Sequence, residues 1–159
     1  FDPVFNTYSR ILILGSFPSV KSRENQFYYG HPQNRFWKLM ARLLNVPVPQ
    51  SIDEKKTMLL THGLALWDVI ASCDIKGSSD SSIKNAVPAD ISRILKTADI
   101  HTIITNGGTA FKLYSRYCEP LTGRPAILCP STSPANAAFS LERLAESWEP
   151  VIKPVISGF

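Results

Sequence analysis

Apolar positions in this chain recur in two rhythms, short continuous runs and helical spacings, separated by polar or proline-rich breaks. Arg10-Ile-Leu-Ile-Leu14 is a continuous apolar run closed by Gly15, the pattern of a strand buried on both faces. Phe36, Trp37, Leu39, Met40, Leu43 and Leu44 fall at helical spacing, which predicts a helix from about Asn34 to Asn45, stopped by Pro47 and Pro49. Ser51-Ile-Asp-Glu54 has the spacing of a capping box, so a second helix is expected to about Thr61. Leu64 to Ile70 reads as a second strand, and Lys76 to Asn85, rich in Ser and Gly, as a polar loop. Pro88 suits the first turn of a helix whose apolar face is Ile91, Ile94 and Leu95. Ile100 to Thr105 is the third predicted strand, and Asn106-Gly-Gly108 turns it into a helix reaching about Tyr117. Ala126 to Cys129 is the fourth strand. The loop Pro130 to Asn136 leads to a last helix carrying Leu141, Leu144 and Trp148, which Pro150 ends or kinks.

Strands and helices thus alternate four times, the pattern of an α/β domain whose parallel sheet has helices on both faces. The 159 residues fit a single domain, 1–159, and 44% hydrophobic residues suffice for one sizeable core. Ligands of such sheets bind beyond the carboxyl ends of the strands. Three segments lie there: the loop from Gly15, the turn at Asn106 and the loop from Pro130.

The charge changes the picture only a little. Seventeen Lys and Arg against 13 Asp and Glu give a net charge of +4, which suits a polyanionic partner without demanding one. The three cysteines, Cys73, Cys118 and Cys129, are odd in number, widely spaced and free of any C-x-x-C pair. They read as buried reduced thiols of an intracellular, cytoplasmic protein, with no metal site. No apolar run approaches a membrane span and no signal peptide opens the chain, so no membrane partner is expected. Phe1 is not a natural start, so a leading segment is expected ahead of it.

Each of the three loops offers chemistry beside a plain structural use. Gly15-Ser-Phe-Pro-Ser19 is neither a nucleophile elbow nor a P-loop, since the spacings differ, and it also serves as an ordinary strand-to-helix turn. Tyr28-Tyr-Gly-His-Pro-Gln-Asn-Arg-Phe-Trp37 packs stackable rings, an amide and a guanidinium into ten residues, the equipment of a base-binding pocket. Its parts also have bland uses: Asn34 as an N-cap, His31 as a loop histidine, Tyr28 and Tyr29 as core. Asn106 is either a turn residue or an amide that reads a base edge. Pro130-Ser-Thr-Ser-Pro-Ala-Asn136 holds small hydroxyl residues just before a helix, suited to phosphate or to capping. Asp80, in Gly77-Ser-Ser-Asp-Ser-Ser82, is a carboxylate of either catalytic or turn-capping use.

Gly15-Ser-Phe-Pro-Ser19, the Tyr28–Trp37 string and Ser131-Thr-Ser-Pro-Ala-Asn136 together resemble the uracil-DNA glycosylase superfamily, in order and approximate spacing from about Arg10 to Trp148. The His-Pro-x-Asn-Arg-Phe-Trp string is similar to the mismatch-specific uracil glycosylase branch, and more similar to the hypoxanthine-DNA glycosylase branch, which acts on deoxyinosine. The resemblance implies a three-layer αβα fold with a central four-stranded parallel sheet. It implies a monofunctional DNA glycosylase of base-excision repair, without metal or cofactor. Such an enzyme flips a deaminated base (hypoxanthine, uracil or xanthine) out of the DNA and hydrolyses its N-glycosidic bond. The mismatch-specific branch carries a catalytic Asn two residues after the first-motif Gly, where this chain has Phe17. The hypoxanthine branch relies on the Asn of its His-Pro-x-Asn segment, which is Asn34 here. The third loop lacks the His that often polarises the base, so leaving-group stabilisation has to come from elsewhere.

The expected roles follow. Asn34 is catalytic, positioning water or touching sugar and base. Ser16, Phe17, Tyr29 and Asn106 form the base pocket, with backbone amides around Ser16 and Phe17 facing the departing base. Ser19, Lys21, Arg23, Lys112, Ser131, Thr132, Ser133 and Asn136 hold the DNA, double- or single-stranded, and Ala135 and Asn136 occupy the wedge position. His31 and Asp80 are the remaining site candidates. The protein is expected to act as a monomer. Two rival readings share the fold: an N-glycosidase of free nucleosides or nucleotides, and a non-catalytic nucleic-acid binding module.

Overall fold

The computed structural model describes residues 1–17, 27–74 and 84–157. Its centre is a parallel sheet of β1 (Ile11–Gly15), β2 (Leu64–Asp68), β5 (Thr102–Asn106) and β6 (Ile127–Cys129) in the order β2-β1-β5-β6. The pairings Ile11↔Leu64, Ile11↔Thr102 and Ile104↔Ile127 set the register. All four strands therefore end at one edge, where Gly15, Asp68, Asn106 and Cys129 stand in a row.

Alternation along β1 divides the core. Ile11 and Ile13 join Leu64, Leu66 and Ile104 on one face, under α1 (Phe36–Leu44), α2 (Ile52–Thr61) and α6 (Leu141–Ile156). Leu12 and Leu14 join Ala65 and Ile103 on the other, under α3 (Ile91–Thr97) and Tyr114 and Cys118, which follow α4 (Gly108–Leu113). This is the three-layer αβα arrangement expected. Ser51 caps α2 as predicted, its hydroxyl accepting the Glu54 N–H at 3.1 Å. Ser140 caps α6 in the same way through Arg143.

The chain departs from the expectation in three places. The second strand stops at Asp68, and Ile70–Asp74 (β3) pairs antiparallel with Lys84–Pro88 (β4) as a separate two-stranded sheet. Pro88 thus ends a strand instead of opening a helix, and α3 begins after Asp90. Beyond α4 the chain runs through a π-helical turn, Tyr114–Cys118, into α5 (Glu119–Thr122). Pro120 lacks the N–H that would continue α-type bonding to Arg116. Finally, α6 passes through Pro150 and Pro154 to Ile156. Both prolines lie on its exposed side, while Trp148 and Ile152 are fully buried and hold the helix to the core.

Candidate active site

At the strand edge, Gly15 ends β1 against two polar side chains. A Cβ there would stand 2.7 Å from Asp68 Oδ1 and 2.9 Å from the Tyr29 hydroxyl, so this approach requires glycine. The N–H groups of Val69 and Ile70 donate to the carbonyls of Gly15 and Ser16 at 2.8 and 3.0 Å, stitching the first loop to the end of β2. Tyr29 adopts φ 54°, a left-handed conformation uncommon for an aromatic residue and typical of functional sites when it occurs. Its ring stacks on Phe36 with centroids 4.3 Å apart, and Trp37 Nε1 donates to the Tyr28 carbonyl at 3.0 Å. The aromatic end of the Tyr28–Trp37 string thus grips the aromatic pair at its beginning.

The polar atoms beside Gly15 are poorly satisfied. The Tyr29 hydroxyl is buried and has no hydrogen-bond partner among the described residues. Its pKa is raised by burial and then by the Asp68 charge, opposed by the Asn106 side-chain amide, which approaches the hydroxyl without the geometry of a formed hydrogen bond. Asp68 is 6% exposed. Burial pushes its carboxyl up to about 7. No lysine, arginine or histidine among the described residues pairs with it. Asp68 was not anticipated, because it closes the apolar run Leu-Ala-Leu-Trp and looks like a strand terminus. The one sequence signal available was its place at the carboxyl end of a strand, where α/β sheets bind ligands.

On the other side of the edge the polar atoms are tied together. Asn34 Oδ1 accepts the Phe36 N–H at 2.9 Å and the Thr132 hydroxyl at 2.9 Å. Asn34 thus receives the first N–H of α1 from one residue ahead of the Arg35 N-cap, and its amide N–H₂ is the end left to act. Thr132 Oγ1 in turn accepts from Asn106 Nδ2 at 3.0 Å, and the Thr132 N–H donates to Asn106 Oδ1 at 3.0 Å. Asn106 keeps one amide N–H beyond this pairing, on the side of Tyr29. Gly107, at φ 98°, lets the turn after Asn106 approach the third loop, since a Cβ there would meet the Ser131 Cβ at 2.9 Å.

Arg35, whose guanidinium is expected from sequence as base-pocket equipment, instead clamps that loop. Its guanidinium donates to the backbone carbonyls of Ser133 at 2.8 Å, Asn136 at 3.1 Å and Phe139. The Arg35 N–H also donates to the Thr132 carbonyl at 3.1 Å. Within the loop Ser131 Oγ accepts from Ser133 N–H, Ser133 Oγ accepts from Ala135 N–H, and Asn136 Nδ2 donates to the Ser131 carbonyl. Trp148 Nε1 anchors the loop's start through the Pro130 carbonyl at 2.9 Å. The start of α1 and the loop that follows β6 are therefore bonded into one unit.

The structure brings Tyr29, Asn34, Asn106 and Thr132 to one site, with Ser131, Ser133 and Asn136 in the adjoining loop. Thr132 is fully buried, so its hydroxyl joins the two asparagines instead of facing solvent. Phe17 packs against the core layer opposite to that of Tyr29, on the far side of the sheet edge. His31 sits in a turn, its Nδ1 accepting the Gln33 N–H at 3.0 Å and its carbonyl the Asn34 N–H at 2.9 Å. Lys112 is exposed on α4, outside the network. Ser19, Lys21, Arg23 and Asp80 lie outside the described residues. Burial pushes the thiols of Cys118 and Cys129 up to about 11 and about 12, which leaves them unreactive. Among the described residues no group of three His, Cys, Asp or Glu is placed to hold a metal ion, and no helix is long and apolar enough to cross a membrane.

Comparison with known proteins agrees with this geometry. The profile of the uracil DNA glycosylase superfamily matches residues 3–151. A protein of Methanosarcina acetivorans named hypoxanthine DNA glycosylase is 35% identical over 157 residues, covering 96% of each chain. One of the same name from Methanosarcina barkeri is 37% identical over 87 residues, 54% of each chain. A solution NMR structure described as a candidate uracil DNA glycosylase, also from Methanosarcina acetivorans, superposes with a TM-score of 0.83 at 32% identity, covering 98% of this chain and 96% of that one. By sequence, by fold and by the row of polar groups at its strand edge, the chain belongs to the uracil DNA glycosylase superfamily.

Proposed function

We propose that this protein is a monofunctional DNA glycosylase that excises hypoxanthine from deoxyinosine-containing DNA. The observation that carries the reading is the continuous polar chain Asn34–Thr132–Asn106, set against the stacked Tyr29 ring at the carboxyl edge of the sheet. The two relatives named hypoxanthine DNA glycosylase point to the purine. Such a site offers a flipped base a ring surface and amide donors, and it needs no metal or cofactor.

In this reading the glycosidic bond opens through an oxocarbenium-like sugar, and water adds at C1′ to leave an abasic site. Asn34 contributes as a donor, because its carbonyl oxygen is already bonded twice; its N–H₂ holds the incoming water or the base. The remaining N–H of Asn106 reads the base carbonyl, and Tyr29 lines the base; Phe17, packed in the opposite core layer, takes no part in stacking. The backbone amides around Ser16 meet charge developing on the base. Ser19, Lys21, Arg23, Lys112 and the 131–136 loop hold the phosphates, with Thr132 positioning the asparagines from within. The chain works as one domain and as a monomer.

The test is a panel of labelled oligonucleotides, each with one hypoxanthine, uracil or xanthine, treated with enzyme and then with alkali. Strand breaks at hypoxanthine are expected, without breaks before alkali. Release of base from free deoxyinosine but not from the oligonucleotide favours a nucleosidase instead. Tight binding with no abasic product favours a non-catalytic module.

A further inference from the structure

The site contains one ionisable group for which the reading above has no use. Asp68 ends β2 with its carboxyl oxygen packed over the α-carbon of Gly15 and beside the unpartnered Tyr29 hydroxyl. A buried carboxylate normally finds a cation or several N–H donors. This one has neither among the described residues, although the Asn34–Thr132–Asn106 network beyond Tyr29 is densely bonded. The third loop, meanwhile, has no histidine to stabilise the departing base.

Resting on the glycosylase reading, we propose that Asp68 is the acid of this site: its carboxyl gives a proton to the departing base as the bond to C1′ breaks. The pair of electrons in the N-glycosidic bond leaves with the base, and the Asp68 proton goes to a basic atom of the purine. Base departs neutral, and Asp68 is left as carboxylate. Water then adds its oxygen to C1′ and its proton returns to Asp68, so the acid is restored and the sum is hydrolysis. Burial favours this use, because it keeps the carboxyl largely protonated near neutral pH and makes it a stronger partner for a base that gains charge. The titratable groups that couple to Asp68 are few. Tyr28 and Tyr29 face it from the segment before α1, both held neutral by burial. Gly15 and Trp67, its neighbours on β1 and β2, do not titrate.

The experiment compares the wild type with Asp68→Asn in single-turnover cleavage of a deoxyinosine duplex from pH 5 to pH 9. The carboxyl carbon of Asp68 is followed by NMR over the same range, and melting confirms that the variant folds. For an acid the protonated form is active. The wild-type rate should therefore be level below about pH 7 and fall about tenfold per unit above it. Asp68→Asn should lose at least tenfold at pH 6 and show no fall from pH 6 to 9. A variant within threefold of wild type at pH 6, or one with an unchanged profile, overturns the proposal. So does a wild-type rate that climbs through pH 7, which assigns Asp68 to water activation. The NMR titration decides independently of turnover: a carboxyl that ionises below pH 5 cannot serve as this acid. If the wild type releases no base at any pH while Asp68 titrates near 7, the glycosylase reading fails, and the acid role fails with it.

Discussion

The two halves of the strand edge are built on opposite principles. On the β5–β6 side most polar atoms are bonded: Asn34, Asn106 and Thr132 are linked to one another, and Arg35 holds three loop carbonyls, its Nε alone being buried without a partner among the described residues. On the β1–β2 side the Asp68 carboxyl and the Tyr29 hydroxyl are buried around Gly15, without a cation beside Asp68 and without a formed hydrogen bond at the hydroxyl among the described residues. A satisfied network fixes geometry, and an unsatisfied one holds desolvated groups ready for a ligand that arrives without water. In the proposed enzyme the first half positions the Asn34 and Asn106 amides, and the second holds desolvated groups against the base.

The largest effect should come from removing the residue that links the halves. Asn34→Ala loses both the acceptor of the first α1 N–H and the free amide donor. That acceptor is worth about 1 kcal/mol of stability, but loss of a donor to the reacting groups lowers single-turnover cleavage by about 10²–10³-fold. Cleavage that stays within threefold of wild type, with the melting temperature lowered, makes Asn34 a helix-end acceptor and no more.

The next test separates the halves by pH. Asp68 ionises near 7 in the folded protein and near the ordinary carboxylate value of 3.8 when unfolded. Between these values the folded state holds the extra proton. Stability therefore falls as pH rises from about 4 to 7 and is level above. Asp68→Asn removes that penalty. It should be more stable than wild type by about 2–4 kcal/mol at pH 8, and equal to it at pH 4, in urea melts at both values. Equal stability at pH 8 shows that Asp68 has a partner in solution and breaks the contrast.

The bonded half was more legible in the sequence than the other, and the reason is physical. Asn34, Asn106 and the Ser131–Asn136 loop follow strands or precede helices, where unpaired backbone groups attract short polar side chains. Their positions could be read locally, although not that Thr132 would be buried as their shared partner. Asp68 acquires its significance only by lying against Gly15, 53 positions earlier in the chain (68 minus 15), which no local pattern encodes. The same limit explains the fold's surprises. Lys84-Asn-Ala-Val-Pro88 has no strand alternation and becomes β4 only because Ile70–Asp74 offers it an edge. Pro150 and Pro154 read as breaks, but the buried face of α6 outweighs the lost N–H bonds. The β1, β5 and β6 runs, buried or paired within one sheet, were plain from their continuous apolar character.

Within the bonded half, Thr132→Val keeps the shape and removes the hydroxyl that joins Asn34 to Asn106. It takes the partner from the Asn106 Nδ2 donor and leaves Asn34 Oδ1 with the Phe36 N–H alone, at a cost of about 1–3 kcal/mol. Cleavage should drop about tenfold with both asparagines still present, since their spare N–H groups lose alignment. A stable variant with normal rate shows that the backbone alone positions them. A loss of rate rescued by Thr132→Ser identifies the hydroxyl as the cause.

The smallest effect should be of opposite sign in stability and activity. Tyr29→Phe deletes a buried hydroxyl that has no partner among the described residues, while the ring that stacks on Phe36 stays. Removing an unsatisfied polar group relieves its desolvation, so the variant should gain about 1 kcal/mol. Cleavage should fall a few-fold, because in the proposed site the flipped base supplies the partner that the hydroxyl lacks. The same substitution in the bonded half would lower both quantities together. Opposite movement of melting temperature and rate at position 29, measured on one preparation, is thus the most direct sign that this half is left incomplete for its substrate. A variant that melts lower shows instead that the hydroxyl is already bonded before any base arrives.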